Sequence, residues 1–213
     1  MEDEARGRRA LLRGLVGGVG AGFALPALAD GHPLSSHRAD AARMARAGAR
    51  AKAPQSPPEF LDRHALETLD SLAECIVPGA QREGVARFID SLLAVDSPES
   101  QRRFLNALGA LEGECIARFG RPWSSLSEAQ RTELLCVAST APAGRGDRTW
   151  KPGTPVVAPP APDRATLRDH FDDLKHWVAG AYYSTEAGMR ELGWTGQMFF
   201  ESFPGCTHPD GHR

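Results

Sequence analysis

No Gly-rich nucleotide loop follows a strand in this sequence, no C-x-x-C-H haem-attachment motif occurs, and the four cysteines lack iron–sulfur spacing. The chain thus has no recognisable means of holding a dinucleotide, a covalent haem or a cluster of its own. Aromatic residues make up only 7% of it, so any stacking surface is small. An excess of one charge is also missing. The formal net charge is -2 and the pI is near 6.4, which argues against nucleic acid or an anionic membrane as the main partner. No apolar run reaches the about 20 residues of a membrane span. There is no internal repeat, and no run alternates clearly as a strand does. What remains is a chain of 213 residues, 41% apolar and 24% charged, ordinary for one globular domain with appendages.

The N-terminus is the most informative stretch. Arg8 and Arg9 are adjacent, Leu11 follows two residues later, and an apolar core runs from Gly14 to Leu25. Five glycines make that core only weakly hydrophobic, and Pro26 ends it. Ala27-Leu28-Ala29 then places small residues where a signal peptidase reads them. Charged region, apolar core and A-x-A site in this order predict a twin-arginine leader over residues 1–29, with the twin-arginine translocase as its reader. That route carries proteins already folded. The alternative is a retained N-terminal anchor. Loss of the leader would leave the chain as mildly acidic as before.

Residues 30–58 are rich in Ala, Arg, Ser and Pro and read as a flexible linker. Ala39 to Ala53 favours a helix by propensity, but Arg43, Arg46, Arg50 and Lys52 would make it a solvated basic one. A basic arm lying on an acidic partner is the alternative to a plain tether.

From Pro57 the pattern turns helical. Leu66, Leu69, Leu72, Ala73 and Ile76 share one stripe, and Pro78-Gly79 stops it. Val85, Phe88, Ile89, Leu92 and Leu93 make a short helix. Pro98 opens a third, with a stripe of Phe104, Leu105, Leu108, Leu111, Cys115 and Phe119 closed by Gly120. Ser127 and Gln130 have capping-box spacing for a fourth helix with Leu134, Leu135 and Val137. Residues 141–162, full of Pro and Gly, form a loop or insertion. Asp163 is placed to cap a fifth helix bearing Leu167, Phe171, Leu174, Val178 and Tyr182, and Thr185-Glu186 begins a short last one. The expected fold is all-α: a small irregular helical bundle over residues 59–213, with a Pro-rich loop and an extended C-terminal tail.

Candidate chemistry is thin. His170 and His176 flank an apolar helix face and read as surface histidines. Glu74, beside Cys75 and ahead of Pro78-Gly79, can cap backbone or pair with an arginine as readily as act as a base. Cys206, His208 and His212 form C-x-H-x3-H, three potential metal ligands, but incidental histidines near a chain end explain the pattern better, and no metal site is assigned. An exported chain meets oxidising conditions, and four cysteines allow three pairings. Cys75 and Cys206 each adjoin a Pro-Gly turn, so they are the preferred disulfide, while Cys115 and Cys136 fit as small core residues.

An ordered series of segments carries a family resemblance. It begins with Leu72-Ala73-Glu74-Cys75-Ile76-Val77-Pro78-Gly79, then Gly84-Val85, Phe88-Ile89-Asp90 and Phe119-Gly120. It continues with Phe171-Asp172-Asp173-Leu174-Lys175 and Tyr182-Tyr183-Ser184-Thr185-Glu186-Ala187-Gly188. It closes with Glu191-Leu192-Gly193-Trp194-Thr195-Gly196 and Pro204-Gly205-Cys206. In this order they resemble the gluconate 2-dehydrogenase subunit 3 family, the small twin-arginine-exported subunit of bacterial membrane-bound sugar and polyol dehydrogenases. No single segment is specific; the resemblance rests on the ordered series together with the leader.

The resemblance implies a division of labour. A large FAD-dependent subunit of the glucose–methanol–choline oxidoreductase type would oxidise the substrate, and a multi-haem cytochrome c would in some complexes take the electrons. The small subunit would hold no cofactor and supply no catalytic residue. It would escort the folded large subunit across the membrane and stabilise it, at a periplasmic, membrane-associated location. Such an interface needs an area above about 1,000 Å². Tyr182 and Tyr183, of a residue type enriched at hot spots, and the group Trp194, Phe199, Phe200 and Phe203 are its candidates; a place in the core is the alternative for each. The long Pro-rich loop at 141–162 departs from the family pattern. Two rival functions are a stand-alone exported binding or structural protein and a small metal-dependent enzyme.

Overall fold

The computed structural model describes residues 32–144 and 165–194. Within them the chain is all-α, with eight α-helices and no strand. In chain order they are α1 (Ser35–Arg38), α2 (Ala41–Ala51), α3 (Arg63–Ile76), α4 (Val85–Leu93), α5 (Pro98–Phe119), α6 (Glu128–Thr140), α7 (Leu167–Tyr182) and α8 (Glu186–Glu191), with a 3-10 turn at Trp123–Ser125.

The helix ends follow local chemistry. Asp62, Ser97 and Thr185 each accept a backbone N–H at the start of α3, α5 and α8, satisfying a donor that the helix leaves orphaned. Pro98 occupies the first turn of α5 and Gly120 ends it. Ser127 and Gln130 close a full capping box on α6. The start of α7 differs from expectation: Thr166, not Asp163, is the N-cap, and it forms a capping box with Asp169. Threonine with a carboxylate three residues on satisfies two donors reciprocally, which a lone Asp163 could not do.

Helix α4 is the centre of the fold. Eight of its nine residues are buried, all but Arg87. It has α2 on one side and α3 and α7 on others, while α7 also receives α5 and α6. Burying Phe88, Ile89, Leu92 and Leu93 stabilises the body by about 1.5–3 kcal/mol per side chain. The α3 stripe lands as expected, with Leu69, Leu72 and Ala73 inaccessible to solvent. Leu105 does not: it lies on the outer side of α5, 43% exposed.

The flexible-linker reading of residues 30–58 needs correction. Leu34, His37 and Ala47 are completely buried, and Met44 and Ala51 pack on the core. Met44, Ala47 and Ala51 sit at i, i+3 and i+7, one side of α2, and small side chains let α2 approach α4 closely. Gly84, at φ 67°, completes the approach: a Cβ there would fall on the Ala51 carbonyl. The arginines of α2 are not an arm for an acidic partner either. Arg43 pairs with Asp40, Arg46 bonds Glu59 at 2.8 Å, and Arg50 bonds the Pro57 carbonyl.

Candidate functional site

Several carboxylates of the body hold backbone, Asp90, Glu74 and Glu112 among them. Asp90, 2% exposed on α4, accepts N–H bonds from Glu59 at 2.7 Å, Phe60 at 3.0 Å and Leu61 at 2.7 Å. Arg87, one turn earlier, donates to the Ser56 carbonyl at 2.6 Å. The connection between α2 and α3 is therefore stapled to α4 along its length. Glu74 takes the capping role: it accepts from Gly79 and Gln81, both at 2.9 Å, and fixes the turn after α3. Glu112 bridges three elements, accepting from Thr68 on α3 at 2.9 Å and from the Trp123 amide at 3.0 Å, with His64 Nε2 at 3.3 Å.

Another polar cluster lies where α1 meets α7 and the start of α5. A shallow cleft there is lined by Pro33, Ser97, Glu99, Ser100, Arg103, Asp173, His176 and Trp177, among others. Arg103 clamps Asp173 with two bonds, one of them 2.8 Å from Nε. Asp96 accepts from Ser97 N at 2.7 Å and from Ser100 Oγ at 2.5 Å. His37 is fully buried against Trp177. Its Nδ1 lies 3.1 Å from Arg43 Nη1, and arginine can only donate. The imidazole proton therefore sits on Nε2, 3.4 Å from Asp96 Oδ2. That contact is close enough for electrostatic attraction but does not meet hydrogen-bond geometry. His176 is half-buried with its ring edge toward His32, centroids 6.1 Å apart. His170 is likewise half-buried, so neither is the open surface histidine that the sequence suggests.

Burial first, then the charges of His176 and Arg38, push the His32 imidazole down to about 4 from 6.5. It is neutral in the folded chain at pH 7. Because the unfolded chain binds the proton first, stability is full above pH 6.5 and falls as pH drops from 6.5 towards 4. Half-buried as it is, His32 accounts for a loss of about 1–2 kcal/mol across that window. Urea midpoints at pH 7 and pH 4.5 measure it, and His32→Asn is expected to remove this part of the pH dependence. An identical pH dependence in the variant would refute the assignment.

The thiols of Cys75 and Cys115 are poor nucleophiles. Burial, and then nearby glutamates, raise Cys115 to about 11, and burial raises Cys75 as well. Cys75, Cys115 and Cys136 carry free thiols; Cys206, the other half of the expected disulfide, lies outside the described residues. Cys136 is exposed and not a core residue as read from the sequence. Among the described residues no group of three His, Cys, Asp or Glu is placed to hold a metal ion, and His208 and His212 lie outside them.

The residues expected at an interface divide. Tyr182 belongs to the core: it is 1% exposed, and its hydroxyl donates to Glu191 at 2.9 Å. Burial, then Glu191, pushes its phenol up to about 12. A side chain enclosed by its own fold cannot be a hot spot, which corrects that expectation. Tyr183 is half-buried and stacks edge-on against Tyr182. Trp194 is 37% exposed beside Leu192 at 46%. Phe199, Phe200 and Phe203 lie outside the described residues, as do Arg8, Arg9, Leu11, Ala27 and Ala29 of the leader. The second apolar feature, not read from the sequence, is the outer side of α5. Leu105 and Ile116 are 43% and 52% exposed there, with Gly109 and Gly113 between them facing open space. Apolar residues scattered singly on a surface need no explanation; these four share one helix face.

Among the described residues no helix is long and apolar enough to cross a membrane. A family model described as gluconate 2-dehydrogenase subunit 3 matches residues 63–205. No curated protein and no solved structure matches the chain.

Proposed function

Because this chain belongs to the gluconate 2-dehydrogenase subunit 3 family, we propose that it is a non-catalytic small subunit of a flavin-dependent sugar or alcohol dehydrogenase complex. Its leader takes the folded, FAD-loaded large subunit through the twin-arginine translocase, and its helical body stays bound as a stabilising subunit on the periplasmic side of the membrane. A multi-haem cytochrome c belongs to the complex where electrons pass on to quinone.

The observation that carries this reading is the family match over residues 63–205. The engagement of the polar groups supports it. Asp90, Glu74 and Glu112 are occupied with backbone amides, and Arg103 with Asp173. Buried charges serve structure when their lone pairs are filled from within the fold. The exposed apolar residues at the exit of α8 and along α5 supply contact area of the kind an obligate partner covers.

The test is coexpression of the tagged full chain with its large flavoprotein. The two are expected to copurify in equal amounts with the flavin absorbance, and Phe199→Asp or Phe200→Asp to cut the recovered flavoprotein by about tenfold, the cost of losing a hot spot. A chain that purifies alone and turns over substrate by itself overturns the reading. If recovery is unchanged while the isolated variant unfolds, those phenylalanines belong to the core instead.

A further inference from the structure

Residues 32–38, which include α1, are held on α7 by few side chains. The backbone of α1 packs mainly against α2. Leu34 is completely buried and fits a notch at Gly180, where a Cβ would collide with the His32 ring and come within 2.7 Å of Leu34 Cδ1. The His32 ring meets that of His176 edge-on, and His37, also completely buried, lies against Trp177. Two of these three anchors are imidazoles, and both use Nδ1 to accept from a donor that cannot reverse. His32 Nδ1 accepts the Leu34 N–H at 3.2 Å, and His37 Nδ1 accepts from Arg43 at 3.1 Å. Neither a backbone N–H nor a guanidinium has a lone pair to offer. A proton added at His32 Nδ1 therefore turns the bond that places Leu34 into a contact between two donors. The charged neighbours add to this. A proton on His176 and the Arg38 guanidinium both oppose a cation at His32. His37 is faced by Arg43 and by Asp96, whose carboxylate already accepts from Ser97 and Ser100. The cleft beside Pro33 and His176 adds Glu99, Arg103 and Asp173, the last two clamped together.

We propose that residues 32–38 are an acid-released clasp: seated on α7 at neutral pH, they lift away when His32 takes up a proton, and uncover the Gly180 notch and the covered side of Trp177 while the other helices stay folded. The inference is independent of the export reading above. Burial first, then His176 and Arg38, hold the seated His32 down to about 4 from 6.5, so the lifted form binds the proton more readily. Closure is complete above pH 6.5 and is lost as pH falls from 6.5 towards 4. Opening stays local because the segment hangs on three side chains, whereas α4 is enclosed by α2, α3 and α7. The lifted form presents an apolar recess beside Gly180 that the neutral form keeps filled with its own chain.

The experiment is amide hydrogen exchange on the full chain at pH 7 and pH 4.5, each corrected for the pH dependence of free-chain exchange. The reporters are Leu34, Ser35, His37 and Arg38. Their N–H groups bond His32 Nδ1, the His32 carbonyl and, for the last two, the Leu34 carbonyl. Exchange at these four is expected to quicken at least about tenfold at pH 4.5, with the α4 amides unchanged. In His32→Asn the side-chain oxygen accepts the Leu34 N–H without titrating, so the four amides should exchange alike at both pH values. Gly180→Ala, which spoils the notch, should free them already at pH 7; because it can also loosen the fold, the wild-type comparison decides. Reporter amides as slow at pH 4.5 as at pH 7 overturn the inference. So does an acceleration that α4 shares in full, since that is global unfolding. A His32→Asn chain that responds to acid as the wild type does overturns it too.

Discussion

Asp90→Ala is expected to be among the most destabilising single substitutions in this protein, at about 3–5 kcal/mol. The carboxylate is 2% exposed and accepts from three successive amides, those of Glu59, Phe60 and Leu61. Removing it strands three donors in a partly dry site, each at a cost of about 1–3 kcal/mol before the segment relaxes. Relaxation is limited, because Arg87 holds the Ser56 carbonyl just ahead of these amides and Arg46 holds the Glu59 side chain. Asp90→Asn keeps one acceptor oxygen and turns an N–H2 towards an N–H, so its loss should be about 2 kcal/mol. Against a typical total of 5–15 kcal/mol the alanine variant is near the edge of folding. Urea unfolding of the full chain followed by far-UV circular dichroism gives the number. A loss under about 1 kcal/mol would mean that water replaces the carboxylate, and that the loop before α3 is not held from α4.

Asp90 also shows where reading the sequence stops. Helix α4 is legible as an apolar stripe of Val85, Phe88, Ile89, Leu92 and Leu93, and a stripe predicts one covered side. The structure covers nearly every side, which makes the one carboxylate inside it a group that must be bonded. The missing information was α2. Its core-facing residues are alanines and a methionine, whose periodicity at 44, 47 and 51 carries little transfer energy, so an Ala- and Arg-rich stretch reads the same whether solvated or packed. Only tertiary facts separate the two: the Arg46 and Arg50 bonds to the 57–59 segment and the close approach at Gly84. The other helices were legible because large side chains and specific caps agreed, as at Pro98 with Gly120 and at Ser127 with Gln130. The error at the start of α7 has the same root. Asp163 and Thr166 are both good caps, and the choice falls to the one whose partner, Asp169, returns the bond. Tyr182 was equally readable as core or contact, since an amphipathic ring suits both; Glu191, one short helix later, supplies the hydroxyl's partner inside the fold.

Replacing both Arg8 and Arg9 by lysine is expected to leave the large flavoprotein in the cytoplasm, with exported dehydrogenase activity down by at least about tenfold. The substitution isolates recognition from charge. Lysine keeps the leader's positive charge, and the apolar core from Gly14 to Leu25 and the Ala27-Leu28-Ala29 site are untouched. What changes is the head group: a planar guanidinium with a rigid fork of donors becomes a compact, strongly hydrated ammonium. Recognition by fork geometry is lost, whereas export that reads only net charge and an apolar segment continues. The helical body is unaltered, so the flavoprotein should still copurify with the variant from the cytoplasm, loaded with flavin and active in the lysate. That combination separates a failed escort from a failed interface. Exported activity equal to that of the wild type would mean that the large subunit crosses by another route, and the small subunit would then act only as a stabilising partner.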